Sequence, residues 1–164
     1  ISVTGVQTCA LPIFTVAFSF DEIGFRGSVA GHIARVTLEE QQIKLNDDKE
    51  GAMNNGLLAA RKSGDAAKKA EADRVIGEHT SIVRMKLEPR RWYQVGIEIV
   101  GEQMRVTLDG KAIGYLKSAG LAHVPKPDFK ISVSGQQALF DDLRIWAANL
   151  KTSATPATSA GEKR

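Results

Sequence analysis

Phe14, Val16, Phe18 and Phe20 fall on one side of a period-two alternation, with Thr15, Ala17 and Ser19 on the other. Successive side chains of an extended chain point to opposite faces, so this pattern predicts a half-buried strand. A glycine-rich loop over 21–31 follows. A second strand over 32–38 sets His32, Ala34, Val36 and Leu38 opposite Ile33, Arg35 and Thr37. A Glu-Glu-Gln turn leads to 42–46, where Ile43 and Leu45 point inward and complete a hairpin. The alternation then lapses. Residues 47–78 are rich in Ala, Lys, Asp and Gly, and 57–61 and 66–76 favour helix, with Gly64 between them. Their apolar face is mostly alanine, which predicts an exposed, partly helical insertion.

Strand patterning returns at 80–87 and is strongest at 92–100, with Tyr93, Val95, Ile97 and Ile99 on one face. Gly101-Glu102 and Asp109-Gly110 are turn signals around strands at 103–108 and 112–116. Strands at 129–134 and 138–146 close the domain. Short strands at near-regular spacing predict an all-β fold, an antiparallel β-sandwich with a partly helical central insertion. No strand–helix alternation, G-x-G-x-x-G or P-loop supports an α/β alternative.

Residues 3–13, VTGVQTCALPI, resemble the translation of a sequencing adapter. On that reading 1–13 are artefactual and the sandwich spans 14–150. It is then incomplete at its N-terminus, with its insertion at about 48–78, and 151–164 form a disordered Ser/Thr/Ala/Pro tail. The lone cysteine, Cys9, lies in the suspect string, so it carries no weight as a redox or metal signal.

The net charge of +3 shrinks on inspection. Lys151, Lys163 and Arg164 against Glu162 place +2 in the tail, leaving the body near +1. That argues against a broad nucleic-acid footprint, and Pro89-Arg90-Arg91 is a single basic pair. No apolar run is long enough to span a membrane.

Three segments carry a family resemblance: GHIARVTL, ALFDDLRIWAA, and the long run from Trp92 to Phe129 that includes LKSAGLAH. They resemble the 3-keto-disaccharide hydrolase domain family within the concanavalin A-like lectin/glucanase and laminin-G-like sandwiches. The resemblance implies a jelly roll with a concave face for a glycan or small saccharide, hydrolysis of 3-keto-glycosides, and a secreted or periplasmic location. It supplies no catalytic set residue by residue.

The residues themselves offer limited chemistry. Retaining glycosidases need paired carboxylates. The stretch around Glu98 and Glu102 lacks the glucanase spacing E-x-D-x-x-E, and adjacent Asp141 and Asp142 point to opposite faces. Trp92, Trp146, Tyr93 and Tyr115 are candidate stacking platforms. Trp92 and Trp146 lie off the apolar face of their strands, which leaves them open to saccharide binding, but core or sheet-cover packing is the favoured reading for each. His123 and Lys126 share a loop with Ser118, and His32 is the remaining candidate polar contact. A metal enzyme built on His32 or His123 is the minor alternative, and a non-catalytic structural or protein-interaction module is the main one. No cofactor is expected: Asp47, Asp48 and Glu50 could ligate calcium but lack the full EF-hand spacing, and a plain turn with a helix-capping Asp is the favoured reading.

Overall fold

The computed structural model describes residues 6–8, 14–26, 29–124, 126–135 and 138–146. The tail and most of the adapter-like string lie outside them. One layer is a five-stranded antiparallel sheet in the order β10-β2-β3-β4-β5. It is formed by β2 (Phe14–Arg26), β3 (Val29–Glu39), β4 (Gln42–Asp47), β5 (Thr80–Arg84) and β10 (Asp128–Gly135). The facing layer contains β7 (Val95–Val100), β8 (Gln103–Leu108) and β9 (Lys111–Lys117), in that order. A short set joins β11 (Ala138–Phe140), β1 (Val6–Thr8) and β6 (Trp92–Tyr93). Thus part of the adapter-like string pairs as a strand between β11 and β6.

The period-two faces meet between the layers. Val16, Phe18, Phe20, Val36, Leu38, Ile43 and Leu45 from one sheet pack on Val95, Ile97, Met104, Val106 and Leu116 from the other and on Tyr93 of β6. Gly114 closes the β5/β9 margin: a Cβ there would sit 3.0 Å from Leu45 and 3.2 Å from Val83. The Asp109-Gly110 turn has φ of 50° and 77°, the left-handed pair that a tight two-residue hairpin requires.

Four sequence expectations need correction. The loop expected over 21–31 is mostly strand, since β2 and β3 extend along each other as a long hairpin. The strand expected over 92–100 breaks at Gln94, though Tyr93 and Val95 still share the core. The strand expected over 138–146 ends at Phe140, and Leu143, Ile145 and Trp146 are exposed. His32 leaves the apolar face of its strand. Phe20 pairs with Ala34 but Asp21 pairs with His32, so Ile33 is an extra residue in β3. A bulge of this kind re-aims the side chains beyond it.

The insertion forms two helices, α1 (Asn55–Lys62) and α2 (Ala66–Glu78). Asn54 and Asp65 cap their N-termini by accepting from backbone N–H groups. Gly64, at φ 76°, makes the reversal between them. Arg61 pairs with Asp73 at 2.8 Å, and Ala72 is the one buried residue in either helix.

Candidate functional site

All three histidines bond to polar groups: His32 and His123 to adjacent acids within β2, and His79 to Ser118, which bonds Asp47 at the end of β4. At the bulge, His32 Nδ1 donates to Asp21 Oδ1 at 2.6 Å, and Lys130 Nζ lies 2.9 Å from Asp21 Oδ2. His123 Nε2 bonds to Glu22, the next residue of β2, and Lys126 Nζ donates to the His123 carbonyl. His79, which ends α2, donates from Nδ1 to Ser118 Oγ at 2.8 Å. Ser118 in turn donates to Asp47 Oδ2 at 2.5 Å.

That last chain resembles a nucleophilic triad in composition but not in geometry. In a triad the carboxylate orients the histidine and the histidine takes the serine proton. Here the Ser118 hydroxyl proton goes to Asp47, and His79 Nδ1 is 3.9 Å from that carboxylate. Asp47 also accepts from Gly120 N at 2.9 Å and Glu50 N at 3.1 Å. It is a buried anchor for the short 3-10 helix Ala119–Ala122 and for the start of the insertion.

Asp48, the neighbouring acid, is gripped by Arg35, with Nη2 to Oδ1 and Nε to Oδ2 both at 3.0 Å. The Nε contact is an ion pair by distance with an angle too poor for a good hydrogen bond. The Asp47, Asp48 and Glu50 group considered for calcium is therefore held by protein donors at both aspartates. Among the described residues, no three His, Cys, Asp or Glu side chains are grouped as a metal site requires.

Burial raises the Asp21 carboxyl, but hydrogen bonds and charge from His32 and Lys130 outweigh it and hold the group below its ordinary 3.8. Burial pushes Asp48 up despite Arg35. Burial also pushes the Lys126 ammonium down, against the pull of Asp47. A carboxyl with a depressed folded pKa stabilises the fold above its ordinary pKa, and that stability disappears as pH falls through the folded value. Asp48 has the opposite sign, since protonation relieves its burial. Melting measured from about pH 6 down to pH 2 should fall less steeply in Asp21→Asn than in the parent. The difference is about 1 kcal/mol, because Lys130 and His32 are partly exposed. Parallel curves would contradict this role for Asp21.

The expected site residues do not assemble into one place. His123 and Lys126 meet, and His32 bonds the residue next to His123's partner, but each is spent on a structural contact. Trp92 is 47% exposed on β6, and Trp146 is 49% exposed beyond β11. Neither lines a described depression. Tyr93, Val95 and Ile97 face the core, so Trp92 and Glu98 share the outer face, separated by roughly 20 Å of extended chain.

A more concentrated constellation lies on that outer face. Register places Glu98, Arg105 and Tyr115 in one row across β7, β8 and β9. Arg105 donates to Glu98 Oε2 from Nε at 3.1 Å and Nη2 at 2.6 Å. With Val100 and Gln103 they line a shallow depression of about 270 Å³, and Tyr115 is 52% exposed. Sequence reading considered Tyr115 and Glu98 separately and missed Arg105. The signal was present: a two-residue turn at Gly101-Glu102 sets Val100 opposite Gln103 and hence Glu98 opposite Arg105.

Among the described residues no helix is long and apolar enough to cross a membrane. No known protein family and no curated protein sequence matches the chain. Among solved structures, sheep galectin-11 in complex with glycerol is similar, at a TM-score of 0.56 and 8% identity. The match covers 87% of this chain and 86% of that one. At that identity the likeness speaks to architecture: the chain folds as an all-β antiparallel sandwich with a small helical insertion.

Proposed function

We infer that the protein binds carbohydrate on the outer face of the β7–β8–β9 sheet. The observation that carries this is the single row of Glu98, Arg105 and Tyr115 lining one depression. A pyranose presents hydroxyls at its rim and C–H groups on its faces. Glu98 accepts from hydroxyls, Arg105 and Gln103 donate to them, and the exposed Tyr115 ring offers an apolar surface. A few placed polar groups beside an apolar wall is the usual make-up of a small-molecule site. The sequence resemblance implies a glycan-binding sandwich, and a secreted or periplasmic setting is part of the same proposal.

Hydrolysis of 3-keto-glycosides is the finer possibility that the resemblance raises. Glycosidases of either stereochemistry generally need two carboxyl groups flanking the bond. The depression is lined by one, Glu98, and Arg105 already holds it. Binding is therefore the better-supported activity. A protein-interaction role draws on a different observation, the exposed Leu139, Leu143, Ile145 and Trp146 of the C-terminal segment.

A glycan array probed with the parent and with Tyr115→Ala and Arg105→Ala tests the reading. Binding to a neutral glycan should fall about tenfold or more in each variant, as for removal of an interface hot spot. No binding by the parent, or binding indifferent to both substitutions, defeats the assignment. Turnover of a 3-keto-glucoside by the parent would replace it with an enzymatic one.

A further inference from the structure

The margin between β5 and β9 carries a surplus of positive charge that the fold does not use. Two adjoining depressions, of about 280 and 530 Å³, share Met85 and Lys86 as lining. Together they run from Gln41 and Arg84 to Lys111 and Ile113. Their lining holds two carboxylates, Glu88 and Asp109, and both go to one cation. Arg91 reaches Glu88 at 3.4 Å and Asp109 at 2.9 Å, and its guanidinium lies 4.8 Å above the Tyr93 ring. Arg84, Lys86 and Lys111 are exposed and form no ion pair among the described residues. The lining thus holds four cations against two carboxylates; of the glutamates just beyond it, Glu39 is taken by Lys44 and Glu40 accepts from Gln41.

We propose that this groove binds an anionic saccharide, one bearing carboxylate or sulfate groups. Arg84 and Lys86 are two residues apart on extended chain, so they project to the same side about 7 Å apart and suit a repeating anion. Gln41 and Gln42 each spend a side-chain N–H on a neighbouring glutamate and keep a carbonyl oxygen to accept from hydroxyls. Met85 and Ile113 supply an apolar floor. Charged side chains on an edge strand also discourage edge-to-edge pairing. That role does not require two nearby carboxylates to be consumed by a single arginine and three cations to be left free. Single-stranded nucleic acid fits less well, because such sites stack bases on open aromatic faces. The one aromatic ring in the groove, Tyr93, is buried beneath Arg91. The proposal is independent of the Glu98–Arg105–Tyr115 depression and stands or falls separately from it.

Titration calorimetry with polygalacturonate and with dextran sulfate, beside neutral dextran and a single-stranded oligonucleotide, tests it and tells carboxylate from sulfate recognition. At least one anionic polysaccharide should bind, with affinity that falls as salt rises. The double variant Arg84→Ser/Lys86→Ser should weaken that binding at least tenfold with an unchanged melting temperature, and Tyr115→Ala should leave it intact. The proposal is overturned if neither polysaccharide binds, if the double variant binds as the parent does, or if the oligonucleotide binds as tightly as the better polysaccharide.

Discussion

Gly120→Ala is expected to cost about 3 kcal/mol and lower the melting temperature by roughly 6–12 °C. A Cβ at this position would lie 2.2 and 2.5 Å from the two carboxylate oxygens of Asp47 and 2.7 Å from its Cγ. The carboxylate cannot swing aside cheaply. It is buried, it accepts from Ser118 Oγ, Gly120 N and Glu50 N, and its own backbone N–H donates to His79 O at 2.9 Å. Displacing it strands buried donors, and that desolvation adds to the overlap. Gly77→Ala in α2 is the matched control. Nothing lies within 4 Å of its would-be Cβ, so the better helix former should raise stability by about 0.5–1 kcal/mol. Thermal melting of the pair decides the matter, and equal, small shifts would mean that Asp47 is not the tight anchor described.

Phe18→Ala should be at least as damaging, at about 4 kcal/mol, or roughly 8–16 °C in melting temperature. Phe18 is fully buried in the middle of β2, and both flanks are occupied. Its register partners are Val36 on β3 and Ile131 on β10, and the Phe129 ring stacks at 6.3 Å. Hydrogen-bonded ladders on either side stop the neighbouring strands from collapsing into the space, so a cavity term adds to the lost burial. Ile82, 53% exposed on edge strand β5, gives the contrast: its alanine variant should stay within about 0.5 kcal/mol of the parent. Chemical denaturation with a shared slope separates the two, and similar midpoints would contradict the assignment of Phe18 to the core.

Much of this fold can be read along the chain. Phe18, Val36, Leu45, Ile97 and Val106 are recognisable as core because extended backbone imposes period two locally, whatever the partner. Asp109-Gly110 marks its hairpin because few residues tolerate two successive left-handed conformations. The helical insertion is visible through Gly64 and its alanine-rich flanks. The Arg105–Glu98 pair was also within reach, since a two-residue turn fixes the cross-strand register.

Other features depend on contacts that no local pattern contains. His32 shares its parity with Ala34 and Val36, and only the bulge at Ile33 turns it toward Asp21. His123 with Glu22 and Ser118 with Asp47 join positions 101 and 71 residues apart. Leu143, Ile145 and Trp146 alternate with polar residues as a strand should, yet the strand stops at Phe140. Alternation makes a segment fit to pair, but tertiary context decides whether it does. By itself the sequence determined most of the core, the tight turns at 101–102 and 109–110 and that the architecture is a β-sandwich, because those follow from backbone geometry over a few residues. The tertiary structure alone decided which distant polar groups meet: His32 and His123 on adjacent acids of β2, His79 and Ser118 at the end of β4, and a cationic groove at the β5 margin. Those meetings arise from the stacking of strands distant in the chain, and that distance hides them from any local pattern.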